Sequence, residues 1–326
     1  MKRVIITLFL SGALLLGGCW HIGNMNSFQG GGSDALMDED VRETKYYKNG
    51  VFKTDGHIYS VFHSDDWIFG ISGNRMIESS DLIHWVKMGK RTFATDDFPV
   101  ADSSGLDIVR IGEKYLMAYV APEGGICVAE SSRLRGPYSE SRALMPPADM
   151  KEFCCNPSFF TAKGLRWLLW DTPHGIYMGK FNWDGDSPAV SEPIIIAASG
   201  FSAPRLVEKG GMYYLWTTRR GNQGGLVVGR SKDIEGPYYT SEGIPMKTAE
   251  GVTPTILPNS EFTDISHGSG IITDANNEDW ILYHACANLN GDRQPVLMLD
   301  KIMWDNGWPV MGKYHASVVA QRSPRF

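Results

Sequence analysis

The chain has little cysteine, five residues in 326. Cys127, Cys154, Cys155 and Cys286, the four beyond the N-terminal segment, follow no zinc-ligand spacing, and adjacent Cys154 and Cys155 would point to opposite faces of a strand. A zinc-built domain is therefore excluded and buried thiols are expected, with a disulfide in an exported protein left as an alternative that spacing does not pair. Excess positive charge is missing too: the formal net charge is −6, which removes the electrostatic case for a nucleic-acid partner. The N-terminal apolar run, residues 4–16, is too short for a spanning helix.

That run follows Lys2 and Arg3 and ends in Leu16-Gly17-Gly18-Cys19, the layout of a targeting segment. The tetrapeptide resembles a bacterial lipobox, in which the cysteine is lipidated and becomes the first residue of the mature chain. Residues 1–19 are thus expected to be a lipoprotein signal peptide ending at Cys19, so that membrane contact is through a lipid anchor only. The expected address is the bacterial cell envelope, with periplasmic and surface-exposed placements both open. Residues 20–43, with Gly30-Gly31-Gly32-Ser33 and Asp38-Glu39-Asp40, lack apolar periodicity and suit a flexible tether. The folded domain is expected over 44–326.

Within it one phrase recurs five times. Strongly apolar, aromatic-rich runs at 67–72, 115–120, 167–172, 213–218 and 280–285 are each followed, after a tight turn, by a second apolar run, at 75–80, 125–132, 175–181, 225–231 and 295–302. A further short apolar stretch precedes each pair, at 59–62, 106–111, 157–160, 204–207 and 269–272. Strands recurring at a period of roughly 45 to 50 residues predict blades, because one blade cannot bury its own faces and must stack on its neighbours. The fold expected is all-β, a five-bladed β-propeller. Its corners are variants of one phrase: Ser79-Ser80-Asp81-Leu82-Ile83-His84-Trp85, Ser131-Ser132-Arg133-Leu134-Arg135-Gly136-Pro137-Tyr138 and Ser231-Lys232-Asp233-Ile234-Glu235-Gly236-Pro237-Tyr238. The regular WD and kelch signatures of protein-interaction propellers are absent.

With the blades placed, the chain resembles glycoside hydrolase family 43, the arabinanase and xylosidase relatives, over roughly residues 50 to 312. Ser80-Asp81-Leu82-Ile83-His84-Trp85 is similar to the family's S-x-D-L-x-x-W, and Leu106-Asp107-Ile108-Val109 sits where it has W-A-P-D-V. Ser202-Ala203-Pro204-Arg205-Leu206 resembles E-A-P-x-L. Ser266-His267-Gly268-Ser269 with Tyr283-His284-Ala285 resembles the final-blade G-H-x-S and Y-H-A, and Asp305-Asn306-Gly307-Trp308-Pro309 resembles D-G-W-P. The resemblance implies inverting hydrolysis by carboxyl groups from inner strands: one acid, one base and one further Asp that tunes the acid. It also implies a polysaccharide or oligosaccharide partner.

The positions that should carry those carboxyls do not. The first-blade position falls at Asn49-Gly50 or at Ile58-Tyr59, the third-blade Asp matches Asn156, and the fourth-blade Glu matches Ser202. An amide has no proton to exchange near neutral pH and a serine hydroxyl is too weak an acid to protonate a glycosidic oxygen unaided; what both keep is hydrogen-bonding capacity toward sugar hydroxyls. Asp107 is the best-placed carboxylate for a rearranged acid/base pair, with a backbone-bonding role as the alternative. Asp55, Asp65, Asp66, Asp102, Asp171, Glu250 and Asp264 are expected in turns or near the funnel. Asn156, Ser202, Arg205 and His267 are the expected sugar-binding residues. The resemblance implies that His267 lies on the axis beneath the sugar, holding water or a metal ion, calcium being the candidate. Trp170 and Trp216 are offered for sugar stacking, against seam filling. Two functions follow: a cell-envelope glycoside hydrolase with a non-standard acid/base arrangement, and a glycan-binding propeller that has lost hydrolysis.

Overall fold

Each of the five predicted apolar groups forms one antiparallel sheet in the structure, a computed structural model. The residues it describes are 45–54, 58–64, 67–72, 75–88, 92–93, 105–145, 154–185, 187–221, 224–248, 250–289, 292–312 and 314–326. Cys19, the expected signal peptide and tether, and Asp55, Asp65, Asp66 and Asp102 lie outside them.

Two short strands, β1 (Tyr46–Tyr47) and β2 (Phe52–Lys53), come first. Blade 1 is β3 (Ile58–Ser64), β4 (Trp67–Ser72), β5 (Arg75–Ser79) and β6 (Val86–Lys87). Blade 2 is β7 (Leu106–Ile111), β8 (Lys114–Val120), β9 (Ile126–Ser131) and β10 (Ser139–Met145). Blade 3 is β11 (Cys155–Ala162), β12 (Leu165–Thr172), β13 (Gly175–Trp183) and β14 (Pro188–Ala198). Blade 4 is β15 (Phe201–Lys209), β16 (Met212–Arg219) and β17 (Gly225–Ser231), with the bridge Arg230↔Tyr239 at its outer edge. Blade 5 is β18 (Phe262–Thr273), β19 (Asp279–Leu289) and β20 (Asp292–Asp305), followed by β21 (Trp308–Val310) and β22 (Gln321–Arg322).

The first strand of each blade is the inner one. In turn β3, β7, β11, β15 and β18 touch the next, and β18 returns to β3, which closes the ring around an axis. The middle strands β4, β8, β12, β16 and β19 are covered on both faces by neighbouring blades, so they read as continuous apolar runs rather than alternating ones. Their side chains fill the seams: Phe69 and Ile71 against Met117 and Tyr119, Leu116 against Leu168 and Trp170, Leu169 against Leu215, and Trp216 against Ile281 and Tyr283. At about 1.5–3 kcal/mol for each large apolar side chain, this burial is the main stabilising term.

The corner phrases explain themselves physically. Ser79, Ser131 and Ser231 each accept, on Oγ, the backbone N–H two residues on, at 3.2, 3.1 and 3.1 Å. Trp85, Tyr138 and Tyr238 then fold back into the seam and donate to the carbonyls of Leu82, Leu134 and Ile234 at 2.8, 3.0 and 2.6 Å. Closure uses the N-terminus: β2 pairs with β20 (Phe52↔Leu297, Lys53↔Val296) and β1 pairs with β22. Asn49 belongs to that closure, accepting from Leu299 N at 2.8 Å and donating to Asp300 Oδ2 at 3.2 Å and Ser317 O at 3.1 Å. The first-blade inner strand therefore begins at Ile58, which decides between the two alternatives for that position.

Candidate functional site

Four inner strands break their ladder at the same place. Ile58 pairs with Ser72 and then Val61 with Gly70; Cys155 with Asp171 and then Ser158 with Leu169; Ser202 with Thr218 and then Arg205 with Trp216; Thr263 with Cys286 and then Ser266 with His284. Two residues oppose one each time, the pattern of a β-bulge, which re-aims side chains and recurs beside binding sites. In three of the bulges the same residue is left-handed: Asn156 (φ 52°), Ala203 (φ 51°) and Asp264 (φ 51°). Such backbone costs on the order of 1–3 kcal/mol and marks sites where the surrounding structure imposes it.

The bulges of blades 3 and 4 border a small axial cavity of about 10 Å³, room for roughly one water molecule, lined by Gly105, Asn156, Ala203, Arg205 and Gly268 among others. Asp107 is buried beside it. Its Oδ1 accepts from Ser60 Oγ and from Ile108 N (2.9 Å), and its Oδ2 from Phe159 N (2.7 Å) and Arg205 Nη1 (2.5 Å). The same Arg205 nitrogen donates to Ser158 Oγ at 3.1 Å. Asp107 thus joins strands from four blades and meets a donor on each lone-pair side.

Asn156 is the bridge to a second buried carboxylate. Its Nδ2 donates to Asp171 Oδ2 at 2.7 Å, while its Oδ1 is buried without a hydrogen-bond partner among the described residues. Asp171 Oδ2 also accepts from Ala203 N at 2.7 Å, and Oδ1 accepts from Arg220 Nη2 at 2.7 Å. Asp171 is fully buried, whereas the Arg220 side chain is 42% exposed. Burial pushes the Asp171 carboxyl above the usual range, with the donors from Asn156, Ala203 and Arg220 opposing the shift only in part. Burial and the nearby Asp171 charge push the Cys155 thiol up to about 11, so it is a poor nucleophile. No disulfide joins Cys127, Cys154, Cys155 and Cys286.

Of the sequence candidates, Asp107, Asn156 and Arg205 come together at the cavity. Ser202 is buried in the same bulge, one residue before the amide that holds Asp171. His267 lies by its backbone in β18, next to cavity-lining Gly268; its side chain is outside the described residues. Asp264 is exposed and paired with Arg293, and Glu250 is exposed. Trp170 and Trp216 do not stack on sugars: at 1% and 2% exposure they fill seams, because middle strands are covered on both faces. Sequence reasoning missed Ser60, Ser158 and Arg220. Their types carry no signal, since a serine in a strand and a basic residue after one read as ordinary packing and solvated charge.

A calcium ion takes six to eight oxygen ligands. The described residues hold no group of three or more His, Cys, Asp or Glu side chains able to share a metal, and the cavity is water-sized and carries the Arg205 cation. The side chain of His267, the residue that the resemblance places on a metal, lies outside the described residues.

A family model described as glycosyl hydrolases family 43 matches residues 41–309. The chain is 33% identical over 128 residues to the extracellular exo-α-(1→5)-L-arabinofuranosidase ArbA of Cellvibrio japonicus, a match covering 37% of this chain and only 36% of that protein's length. It is 22% identical to the extracellular endo-α-(1→5)-L-arabinanase 2 of Bacillus subtilis, over 84% of this chain and 71% of that one. Among solved structures, the Bacteroides ovatus protein described as xyloglucan PUL GH43B superposes with a TM-score of 0.71 at 17% identity, covering 86% of this chain and 59% of that one. The α-L-arabinanase of Cellvibrio cellulosa does so with a TM-score of 0.68 at 20% identity, covering 82% and 100%.

Proposed function

The chain belongs to glycosyl hydrolases family 43, and from that footing we propose that the surface around its axial cavity holds the end of an oligosaccharide and recognises it without cleaving it by an inverting acid/base pair. One observation carries this. Ile58, Asn156 and Ser202 are neutral, and the two buried carboxylates beside the pocket, Asp107 and Asp171, are each tied to an arginine and to backbone N–H groups. An inverting pair needs a protonated acid and a carboxylate with room for water, about 6.5–9.5 Å apart. Carboxylates saturated by donors are anchors. Neutral hydrogen-bonding groups at positions 156 and 202 stand instead where the family resemblance expects carboxyls. The names of the relatives point to arabinan-type chains as the first glycans to try. Anchoring at the cell envelope through lipidated Cys19 is part of the proposal, supported by the Leu16-Gly17-Gly18-Cys19 phrase.

A second reading rests on Asp171. Burial raises a carboxyl in the way a general acid requires, and Asp171 stands between Asn156 and Ala203, next to the positions where the family resemblance expects carboxyls. On this reading the protein is a hydrolase with a relocated acid.

Incubating the full-length protein with arabinan, xylan, galactan and pectic oligosaccharides, with chromatography for products and calorimetry for binding, decides between them. Binding without product supports recognition. Released sugar that disappears in Asp171→Asn supports the relocated acid. Neither binding nor product overturns both.

A further inference from the structure

We propose that the surface beside the axial cavity takes a glycan bearing a carboxylate, a uronic-acid unit, with Arg220 as the residue that reads the charge and Asp171 as the residue that positions it. The inference rests on the recognition reading above and deepens it by naming the ligand class.

The repeat isolates the feature. The second-strand residue that pairs with the start of the bulge is Ser72 in blade 1, Thr218 in blade 4 and Cys286 in blade 5, and in blade 3 it is Asp171. Small uncharged groups suffice for the fold at this position, so a fully buried carboxylate there needs another reason. The structure supplies one: Asp171 Oδ1 holds a single Arg220 nitrogen at 2.7 Å, and Oδ2 is itself pinned by Asn156 Nδ2 and Ala203 N. Arg220 is thereby fixed by one side while its side chain stays 42% exposed, and no other side-chain hydrogen bond of Arg220 occurs among the described residues. A guanidinium carries five donors in a planar fork. Such a fork can take a carboxylate in bidentate fashion.

The surroundings favour an anion over a neutral sugar. Carboxylates at positions 58, 156 and 202 would repel a uronate, and this chain has Ile58, Asn156 and Ser202 there. Arg220 is tied to the cavity wall through Asp171, which also holds the Asn156 side chain and the Ala203 amide, both of them lining residues.

The test is calorimetric titration of the full-length protein with a galacturonate trisaccharide, its methyl ester, a neutral arabinose trisaccharide and a sulfated neutral trisaccharide. The acid is expected to bind about tenfold or more tightly than its ester, the size of a charged hydrogen bond, and the preference is expected to shrink as salt is added. Arg220→Gln should abolish the preference for acid over ester, and Arg220→Lys should keep part of it. Equal binding of acid and ester overturns the inference and leaves glycan recognition standing. Preference for the sulfated sugar overturns the uronate assignment, and full acid preference in Arg220→Gln overturns the role of Arg220. Absence of binding by every probe overturns recognition itself.

Discussion

Asp107 on blade 2 and Arg205 on blade 4 form an ion pair of 2.5 Å beside the propeller axis, with Ser60 of blade 1 and the Phe159 amide of blade 3 completing the shell of Asp107. Both side chains are largely buried, so removing one charge leaves the other uncompensated. Asp107→Asn is expected to cost about 3–5 kcal/mol of unfolding free energy, read by denaturant titration. Normal stability together with lost sugar release would return Asp107 to the role of a reacting carboxylate.

Asn156→Asp places a second carboxylate against Asp171, whose Oδ2 lies 2.7 Å from Asn156 Nδ2. Like charges in contact share a proton, which raises the folded pKa of the pair above the ordinary value near about 4. The native state then holds a proton that the unfolded chain has lost, so stability falls as pH rises from about 4 through the raised pKa. The Tm gap between wild type and variant should widen from about pH 5 to about pH 8. No sugar release is expected, because Ile58 and Ser202 still lack carboxyls.

Gly105 has φ +84°, and a Cβ there would meet Asn156 Cα at 2.6 Å and Asn156 Oδ1 at 2.7 Å. Gly105→Ala is expected to lose about 1–3 kcal/mol from backbone strain alone. Glycan affinity should fall as well, since Asn156 must shift. Calorimetry of the folded variant checks the second effect separately.

Asp279 ties blade 5 to blade 4. It accepts from Lys209 of β15, from Trp304 Nε1 at 2.6 Å and from Thr273 Oγ1 at 2.7 Å. Burial pushes its carboxyl up, but these donors outweigh that and hold it below the usual range. The stabilisation is present in full above the ordinary carboxyl pKa near about 4 and is lost as pH falls through the lower folded value. Between about pH 6 and about pH 2, the wild-type Tm should fall more steeply than that of Asp279→Asn.

Asn49→Ala removes an acceptor for Leu299 N and two donors at the ring closure. A loss of about 1–3 kcal/mol is expected, because Leu299 N is left without a partner. Denaturant midpoints measure it.

The strands were legible because burial on both faces gives middle strands an unbroken apolar run, and the corners because a serine, a turn and an aromatic must recur wherever a blade ends. The 115–120 run reappears within Lys114–Val120, and 225–231 matches its strand. Strand β2 was not legible: two residues carry no periodicity, and its partner Leu297 is remote in the chain. The site was half legible. The neutral residues at 156 and 202 stand in the sequence, but Arg220 meets Asp171 across 49 residues and Arg205 meets Asp107 across 98, separations over which chain order holds no geometric information.

By itself, then, the amino-acid order determined the five-fold repeat and its propeller fold, because hydrophobic periodicity and turn chemistry act locally, while the family resemblance marked the positions that lack carboxyls and left the first-blade one open between Asn49-Gly50 and Ile58-Tyr59. The tertiary structure alone decided that Asp107 is an axial clamp, that Asp171 is buried behind an exposed Arg220 and that the N-terminal strand closes the ring. Those outcomes depend on which side chains from different blades meet at the axis, where burial turns ordinary charges into fixed pairs.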